Sequence, residues 1–415
     1  MKPGAVIVGA SHAGVQAAVS LRQSGWQEPI HLLSNEHDLP YHRPPLSKAF
    51  LSGTRTAEQI LLRGEGLYRE QGLDLLLGCS VREIDPVRRR VSSDAGVFDY
   101  SKLIIATGAR ARDLSLPGIK LGGVHILRNM ADARALKLAL ESAHSLVVIG
   151  GGFIGLEVAA TAATNSKQVT VLEAQDRLLA RALPPRFSHF LTKYHAGKGV
   201  RFVFNVRVDG IEGASGRVSA VKLADGGRIS ADLVLIAVGG APSVELGQDV
   251  GLTLAAGGIA VDDHARTSAP DIYAIGDCAA ARTRFADGIV RVESVQNAVD
   301  QARAAAAHCA GQPQPLAAAP WFWTDQYDLK IQMAGLMSSG CEEILRGDPP
   351  AGAFTLLQLK DERLISAFSV NRAADHMAAR RLIDTGVTID RTLAARPDIP
   401  LLQAVSAPTS CGERR

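Results

Sequence analysis

Three glycines and an acid near the middle of this chain have the spacing of a phosphate cradle. Gly150, Gly152 and Gly155 follow the apolar run Ser145-Leu146-Val147-Val148-Ile149, and a helical pattern, Leu156 to Ala160, follows them. A second apolar run, Gln168 to Leu172, leads to Glu173, 18 residues after Gly155. The chemistry this suits is dinucleotide binding. Glycine lets backbone approach a pyrophosphate, the helix start offers amides to it, and an acid after the next strand accepts from a ribose diol. The plain alternative is a glycine-rich turn without ligand, which leaves the strand, helix and acid as coincidence.

The same grammar opens the chain. Ala5-Val6-Ile7-Val8 runs into Gly9 and Gly14, a helical pattern follows from Val15 to Leu21, and Ile30-His31-Leu32-Leu33 reads as the next strand. Ser11 replaces the middle glycine. Serine is the smallest polar substitute, and its hydroxyl can itself donate to phosphate. His12 has the chemistry of a base but reads as a helix-start residue. Two further apolar runs end in glycine, at Ala106-Thr107-Gly108 and at Gly239. The run Ile272 to Ile275 delivers Asp277 at a strand's carboxyl end, where open α/β sheets place ligands. Asp277 suits a polyol hydroxyl; the alternative is a helix N-cap.

Such motifs need a large scaffold, and the chain supplies one. Its 415 residues suggest about three domains. It is 47% hydrophobic and 21% charged, which is enough to bury a core and excludes a disordered chain. Forty glycines with 5% aromatics suit an α/β protein rich in tight turns. Lys and Arg (45) against Asp and Glu (42) leave +3, too balanced for a dedicated nucleic-acid protein, although one basic face remains possible. No apolar stretch is long enough to span a bilayer, and the N-terminus runs directly into a strand without a signal-peptide pattern. Cys79, Cys278, Cys309, Cys341 and Cys411 are scattered and form no CxxC, which argues against a disulfide scaffold, a cysteine-ligated metal and a local redox pair. The expectation is a cytoplasmic protein that binds no metal, no membrane and no nucleic acid.

After about residue 312 the grammar changes. Gln312 to Pro320 reads as a linker. Strand patterns follow at 330–335 and 354–359, then helical patterns at 373–384 and 389–394. The expected division is a discontinuous first domain, 1–112 with 242–318, a second dinucleotide domain, 113–241, and an α+β C-terminal domain, 319–415. The fold class is α/β, with two Rossmann-like domains before the C-terminal one.

Several segments together are more specific than any glycine turn. They are Leu39-Pro40-Tyr41-His42-Arg43-Pro44-Pro45-Leu46-Ser47-Lys48, Ala106-Thr107-Gly108, Gly150 to Glu157, Gly276-Asp277-Cys278, Val292 to Ala298, and Pro320-Trp321-Phe322-Trp323-Thr324-Asp325-Gln326. Across essentially the whole chain they resemble the two-dinucleotide-fold flavoprotein reductases, and most closely the ferredoxin reductases of bacterial oxygenase systems. The resemblance implies FAD on the N-terminal fold, a nicotinamide nucleotide on the middle fold, and a C-terminal domain that covers the flavin and helps dock a ferredoxin. By that resemblance FAD is held by Gly9, Ser11, Ala13, Gly14, Arg43, Lys48, Val81, Ala106, Thr107, Gly108, Arg128, Asp277, Val295 and Trp323. The adenosine-ribose acid of the family falls on Asn35, a departure, with Glu36 adjacent. NAD is held by Gly150, Gly152, Ile154, Gly155, Glu173 and Gly239. Glu173 favours NADH over NADPH by repelling a 2′-phosphate, while nearby Arg177 could offset that.

The resemblance also implies a mechanism. Lys48 and Glu157 match a pair that meets beside the reacting ring of the flavin, and they are the expected catalytic residues. Each would be costly to bury alone and tolerable together. NADH gives a hydride to the flavin, which passes electrons singly to a two-iron, two-sulfur ferredoxin serving a monooxygenase or dioxygenase. Trp321 and Trp323 lie in an aromatic cluster, where Trp323 shortens the electron path or shields the ring. Arg63 and Arg303 match positions at the docking face, against the plainer reading of solvated surface arginines. Arg88-Arg89-Arg90 reads as an exposed hairpin face. Disulfide reductases on this scaffold carry a redox cysteine soon after the first turn, and residues 9–50 contain none. The competing reading is an apoptosis-inducing-factor-like sensor, which binds NADH and has no ferredoxin partner. A monomer is expected.

Overall fold

A computed structural model describes residues 3–406; Cys411 lies outside the described residues. Contacts divide the chain into two compact units. The first comprises Met1–Ala143, Gly210–Ser219 and Asp232–Ala317, and the second His144–Asp209, Ala220–Ala231 and Ala318–Arg415. Both are discontinuous in sequence.

The first unit is built on a parallel sheet. Its strands lie in the order Leu73–Leu76, Ile30–Leu33, Gly4–Val8, Gly96–Ile105 and Ile272–Ala274. The last strand returns late in the sequence to pair with Gly96–Ile105, and so brings Asp277 to this sheet. Alternation sorts the strand residues onto two faces. Ala5, Ile7 and Ile104 face a core with the helices His12–Gln23 and Val295–Cys309. Val6, Val8, Leu103 and Ile105 face a second core with Ile259, Val261 and Ala279. Ala17 and Ala18 of one helix and Ala302, Ala305 and Ala306 of the other have little side chain, so the two helices pack closely. The arginine triplet lies at a hairpin turn as expected, but each guanidinium has an acid: Arg88 with Asp85, Arg89 with Asp271, and Arg90 with Asp99.

The second unit repeats the parallel pattern. Ser145–Ile149, Gln168–Leu172 and Arg201–Val203 pair in parallel, and the helix Phe153–Thr164 connects the first two. Its C-terminal part is a five-stranded antiparallel sheet. The order is Trp321–Gln326, Leu329–Gly335, Arg363–Val370, Ala353–Lys360 and Glu342–Asp348, followed by the helices Ala373–Thr385 and Arg391–Ala395. One core joins both parts: Leu156, Phe187 and Leu191 pack with Leu329, Ile331, Phe354, Leu356 and Phe368. Among the described residues no helix is long and apolar enough to cross a membrane.

Candidate functional site

The first glycine turn is held by close backbone contact. Gly9 has φ +108°, and a Cβ there would lie 2.3 Å from the Ala106 carbonyl oxygen. A Cβ on Gly14 would lie 1.8 Å from the Gly9 carbonyl oxygen. No other residue fits either place. The helix that follows starts at His12, with Ser11 as its N-cap. Ser11 makes no capping bond, and the first turn holds no acid. Its leading amides and the positive end of its dipole are therefore suited to an external anion.

Polar groups from distant segments form a chain around this turn. Arg43 donates from Nε to Ser11 Oγ at 2.9 Å, from Nη1 to the Arg128 carbonyl at 2.8 Å, and from Nη2 to Glu36 at 2.5 Å. Ser11 thus accepts from Arg43 and keeps its own proton for a ligand. Tyr41 donates to the other Glu36 oxygen at 2.5 Å and accepts from the Met130 amide at 2.8 Å. Arg128 reaches Asp277 at 3.4 Å. Burial pushes the Asp277 carboxyl up, against the pull of Arg128. Burial, assisted by His42, Arg43 and Arg128, pulls His12 down to about 3, so its ring is neutral; its Nε2 lies 3.3 Å from His42 Nδ1.

The remaining first-unit candidates separate into several positions. Thr107 donates to the Ser243 carbonyl at 2.6 Å, which fixes the Ala106-Thr107-Gly108 turn. Asp277 sits inside a short 3-10 turn, Gly276–Cys278, and is not a helix N-cap. Cys278 is buried and donates to the Ile275 and Ile105 carbonyls, as a packing residue does. Val295 opens the helix capped by Ser294, and Val81 opens the strand Val81–Asp85. Asn35 is exposed, and Glu36, offered as its substitute, is committed to Tyr41 and Arg43. Lys48 donates to the Pro44 carbonyl at 3.1 Å. Gly239 has φ +103°. Arg63 is exposed, and Arg303 lies 3.8 Å from Asp300.

The second glycine turn has the same uncapped, acid-free helix start at Phe153, after Gly152. Ile154 is exposed on its first turn. Glu173 accepts from the Gly151 amide at 2.7 Å and the Gln175 amide at 2.8 Å, which places its carboxylate beside the turn. Arg177, offered as a complication, is turned inward. It donates to the carbonyls of Leu183 and Ala180, both at 2.7 Å, and to Ser188 Oγ at 3.0 Å. Glu157 is buried on the following helix and accepts from Thr324 Oγ1 at 2.5 Å. Trp323 neighbours Trp321, with ring centroids 5.5 Å apart, and Trp321 lies under the Arg380 guanidinium. Thr324 was not singled out by sequence. Its signal is the alternation along Trp321–Gln326, which sets it on the opposite face from Trp323.

Both turns fit the groups they were read for. Each has a helix start without side-chain cap or acid, and in each the nearby side chains suit the expected sugar and phosphate chemistry. Among the described residues no cluster of His, Cys, Asp and Glu has the makings of a metal site.

Two glycine-turn nucleotide folds followed by an antiparallel C-terminal sheet define a two-nucleotide oxidoreductase scaffold. A family model described as pyridine nucleotide-disulphide oxidoreductase matches residues 4–302, and one described as reductase C-terminal matches residues 321–405. The chain belongs to the pyridine nucleotide-disulphide oxidoreductase family, with the C-terminal domain of its reductases. It is 42% identical over 410 residues to the ferredoxin reductase subunit of 5,5′-dehydrodivanillate O-demethylase from a Sphingobium strain, covering 97% of this chain and 98% of that one. It is 42% identical to rhodocoxin reductase of Rhodococcus erythropolis, covering 97% and 94%. The structure of a covalent putidaredoxin reductase–putidaredoxin complex matches with a TM-score of 0.93 at 38% identity, covering 97% of this chain and 98% of that chain.

Proposed function

We propose that this protein is an FAD-dependent, NADH-oxidising ferredoxin reductase whose partner is a two-iron, two-sulfur ferredoxin serving a monooxygenase or dioxygenase. The observation that carries this reading is the pair of strand–glycine turn–helix units, one with Arg43, Arg128 and Asp277 beside its turn, the other with Glu173. Relatives along the full length point the same way: three of them are named for a ferredoxin partner or for a reductase of one. When bound, FAD supplies the exchange between a hydride and single electrons.

The residues of this chain do the rest. The amides after Gly9 hold the pyrophosphate, with the Ser11 hydroxyl as a further donor. Asp277 accepts from a ribityl hydroxyl, and Arg128, Val81, Val295, Ala106, Thr107 and Gly108 line the same nucleotide. Asn35 serves the adenosine ribose as a neutral donor and acceptor, since Glu36 is committed elsewhere. Gly150, Gly152, Ile154, Gly155 and Gly239 hold NADH, and Glu173 takes its ribose hydroxyl. Lys48 and Glu157 orient the nicotinamide for hydride transfer. Trp323 lies on the electron path, and Arg63 and Arg303 steer an acidic ferredoxin. The functional division follows residues 1–112 with 242–318, 113–241 and 319–415. The protein acts in the cytoplasm as a monomer.

A stopped-flow experiment tests this. Mixing the purified yellow protein with NADH bleaches the flavin band within milliseconds to seconds, and an oxidised two-iron ferredoxin then restores it. Fast bleaching with no ferredoxin-dependent turnover overturns the reductase assignment in favour of the NADH-binding sensor.

A further inference from the structure

Four polar side chains are buried in a row inside the second unit. Glu157 is 5% exposed, Thr324 0%, Gln326 1% and His195 0%. They come from three elements: the helix after the second glycine turn, the strand Trp321–Gln326, and the helix Pro185–Gly197. Their surroundings are apolar, with Leu156, Leu191, Leu329 and Ile331 in the same core. Valine and leucine would pack there without the cost of burying polar groups.

The row has a direction. A carboxylate only accepts, so Thr324 Oγ1 donates to Glu157 Oε1 across 2.5 Å. With its proton spent, Thr324 accepts, and Gln326 Nε2 donates to it at 3.3 Å. A flipped amide would set an oxygen against that oxygen, so Gln326 Oε1 must face His195. His195 Nε2 lies 2.7 Å from it and must carry the ring proton. His195 Nδ1 is then the unprotonated end; it is buried with no hydrogen-bond partner. Burial pulls the His195 pKa down, in keeping with a neutral ring. Every proton in the row points toward Glu157.

We infer that Thr324, Gln326 and His195 are positioning residues for Glu157, ordering its carboxylate through a directed hydrogen-bond chain. The inference rests on the reading above, in which Glu157 acts in hydride transfer. Thr324 directly follows Trp323, so one bond ties the strand that carries the tryptophan to the helix that carries the acid. Of the rotamers a helix allows a glutamate, the chain favours the one in which the carboxylate accepts from Thr324.

The test compares Thr324→Val, Thr324→Ser, Glu157→Gln and the double variant Thr324→Val with Glu157→Gln, each as the FAD-loaded full chain. The readouts are the rate of flavin reduction by NADH and the dissociation constant of NAD+, followed through the flavin absorption band. A hydrogen bond to a charged group corresponds to roughly ten-fold or more in rate. Thr324→Val therefore slows reduction about ten-fold, raises the NAD+ dissociation constant by no more than about three-fold, and is largely rescued by Thr324→Ser. In the double variant the losses are not additive, because Thr324 acts through Glu157. Additive losses overturn the inference, as does an unchanged rate in Thr324→Val while Glu157→Gln is slow. An unchanged rate in Glu157→Gln sinks the role of Glu157 itself, and the inference with it. If Thr324→Val does not fold, Gln326→Met, which cuts the chain one link further out, is read by the same two measurements. A normal rate there overturns the inference.

Discussion

Glu173 leans back on the turn it serves, accepting from the Gly151 and Gln175 amides. A 2′-phosphate arriving at that turn would meet a carboxylate. The cation that could offset it, Arg177, is held by two carbonyls and Ser188. Like charges brought together in a binding site cost several kcal/mol. We expect kcat/KM for NADH to exceed that for NADPH by about a hundred-fold. Glu173→Arg narrows or reverses that ratio, as steady-state assays with both coenzymes will show; an unchanged ratio places the discrimination on other residues. The glycines and Glu173 were legible because their meaning lies in local spacing. The commitment of Arg177 was not, because it depends on the turn at 180–183 and the start of the helix Pro185–Gly197 folding back against it. The contacts of Ser11 with Arg43, and of Arg128 with Asp277, likewise join segments that sequence leaves far apart.

Side-chain caps occur at only some helix starts: Met130–Ser142, Val295–Cys309 and Arg391–Ala395 are capped by Asn129, Ser294 and Asp390, whereas the helices after the two glycine turns, like Pro185–Gly197 and Ala373–Thr385, have none. The Asn129 cap is a full capping box with Asp132, whose carboxylate also accepts from the Arg128 amide at 2.8 Å. The cap therefore fixes the residue that faces Asp277. Asn129→Ala should cost about 1 kcal/mol of stability and speed FAD loss, as thermal unfolding and the rate of flavin release will measure. A normal release rate from a destabilised variant would detach Arg128 from flavin binding. Both strand–turn–helix units and the C-terminal strands at 329–335 and 353–360 were legible, because buried strands there are apolar or alternate cleanly. The strand Glu342–Asp348 was not. It lies at the sheet's edge, and its charged ends and Gly347 resemble a loop.

At the scale of the molecule, the two nucleotide folds were visible as a repeat, while the shared core of Leu156 and Phe187 with the C-terminal sheet was not. A repeat is written in one stretch of sequence; a core between parts is written in none. The helix Ala373–Thr385 carries a buried histidine with a consequence for acid stability. His376 is 1% exposed, neither ring nitrogen has a hydrogen-bond partner, and burial beside Arg380 pulls its pKa down to about 4. The native chain therefore keeps His376 neutral at pH 5, whereas the unfolded chain takes up a proton below its ordinary value of 6.5. The unfolded state binds more protons across that window, so stability falls as pH drops from about 6.5 toward 4. Between pH 7 and pH 5 the loss from this one ring is about 2 kcal/mol. Urea unfolding followed by tryptophan fluorescence reports on it, since Trp321 packs on His376 with centroids 5.6 Å apart. His376→Phe should keep the ring packing and shrink the pH 7 to pH 5 loss by about that amount. A variant that loses as much stability on acidification as the parent would mean that His376 is already protonated in the fold, paired through water with an acceptor that a dry core would not provide.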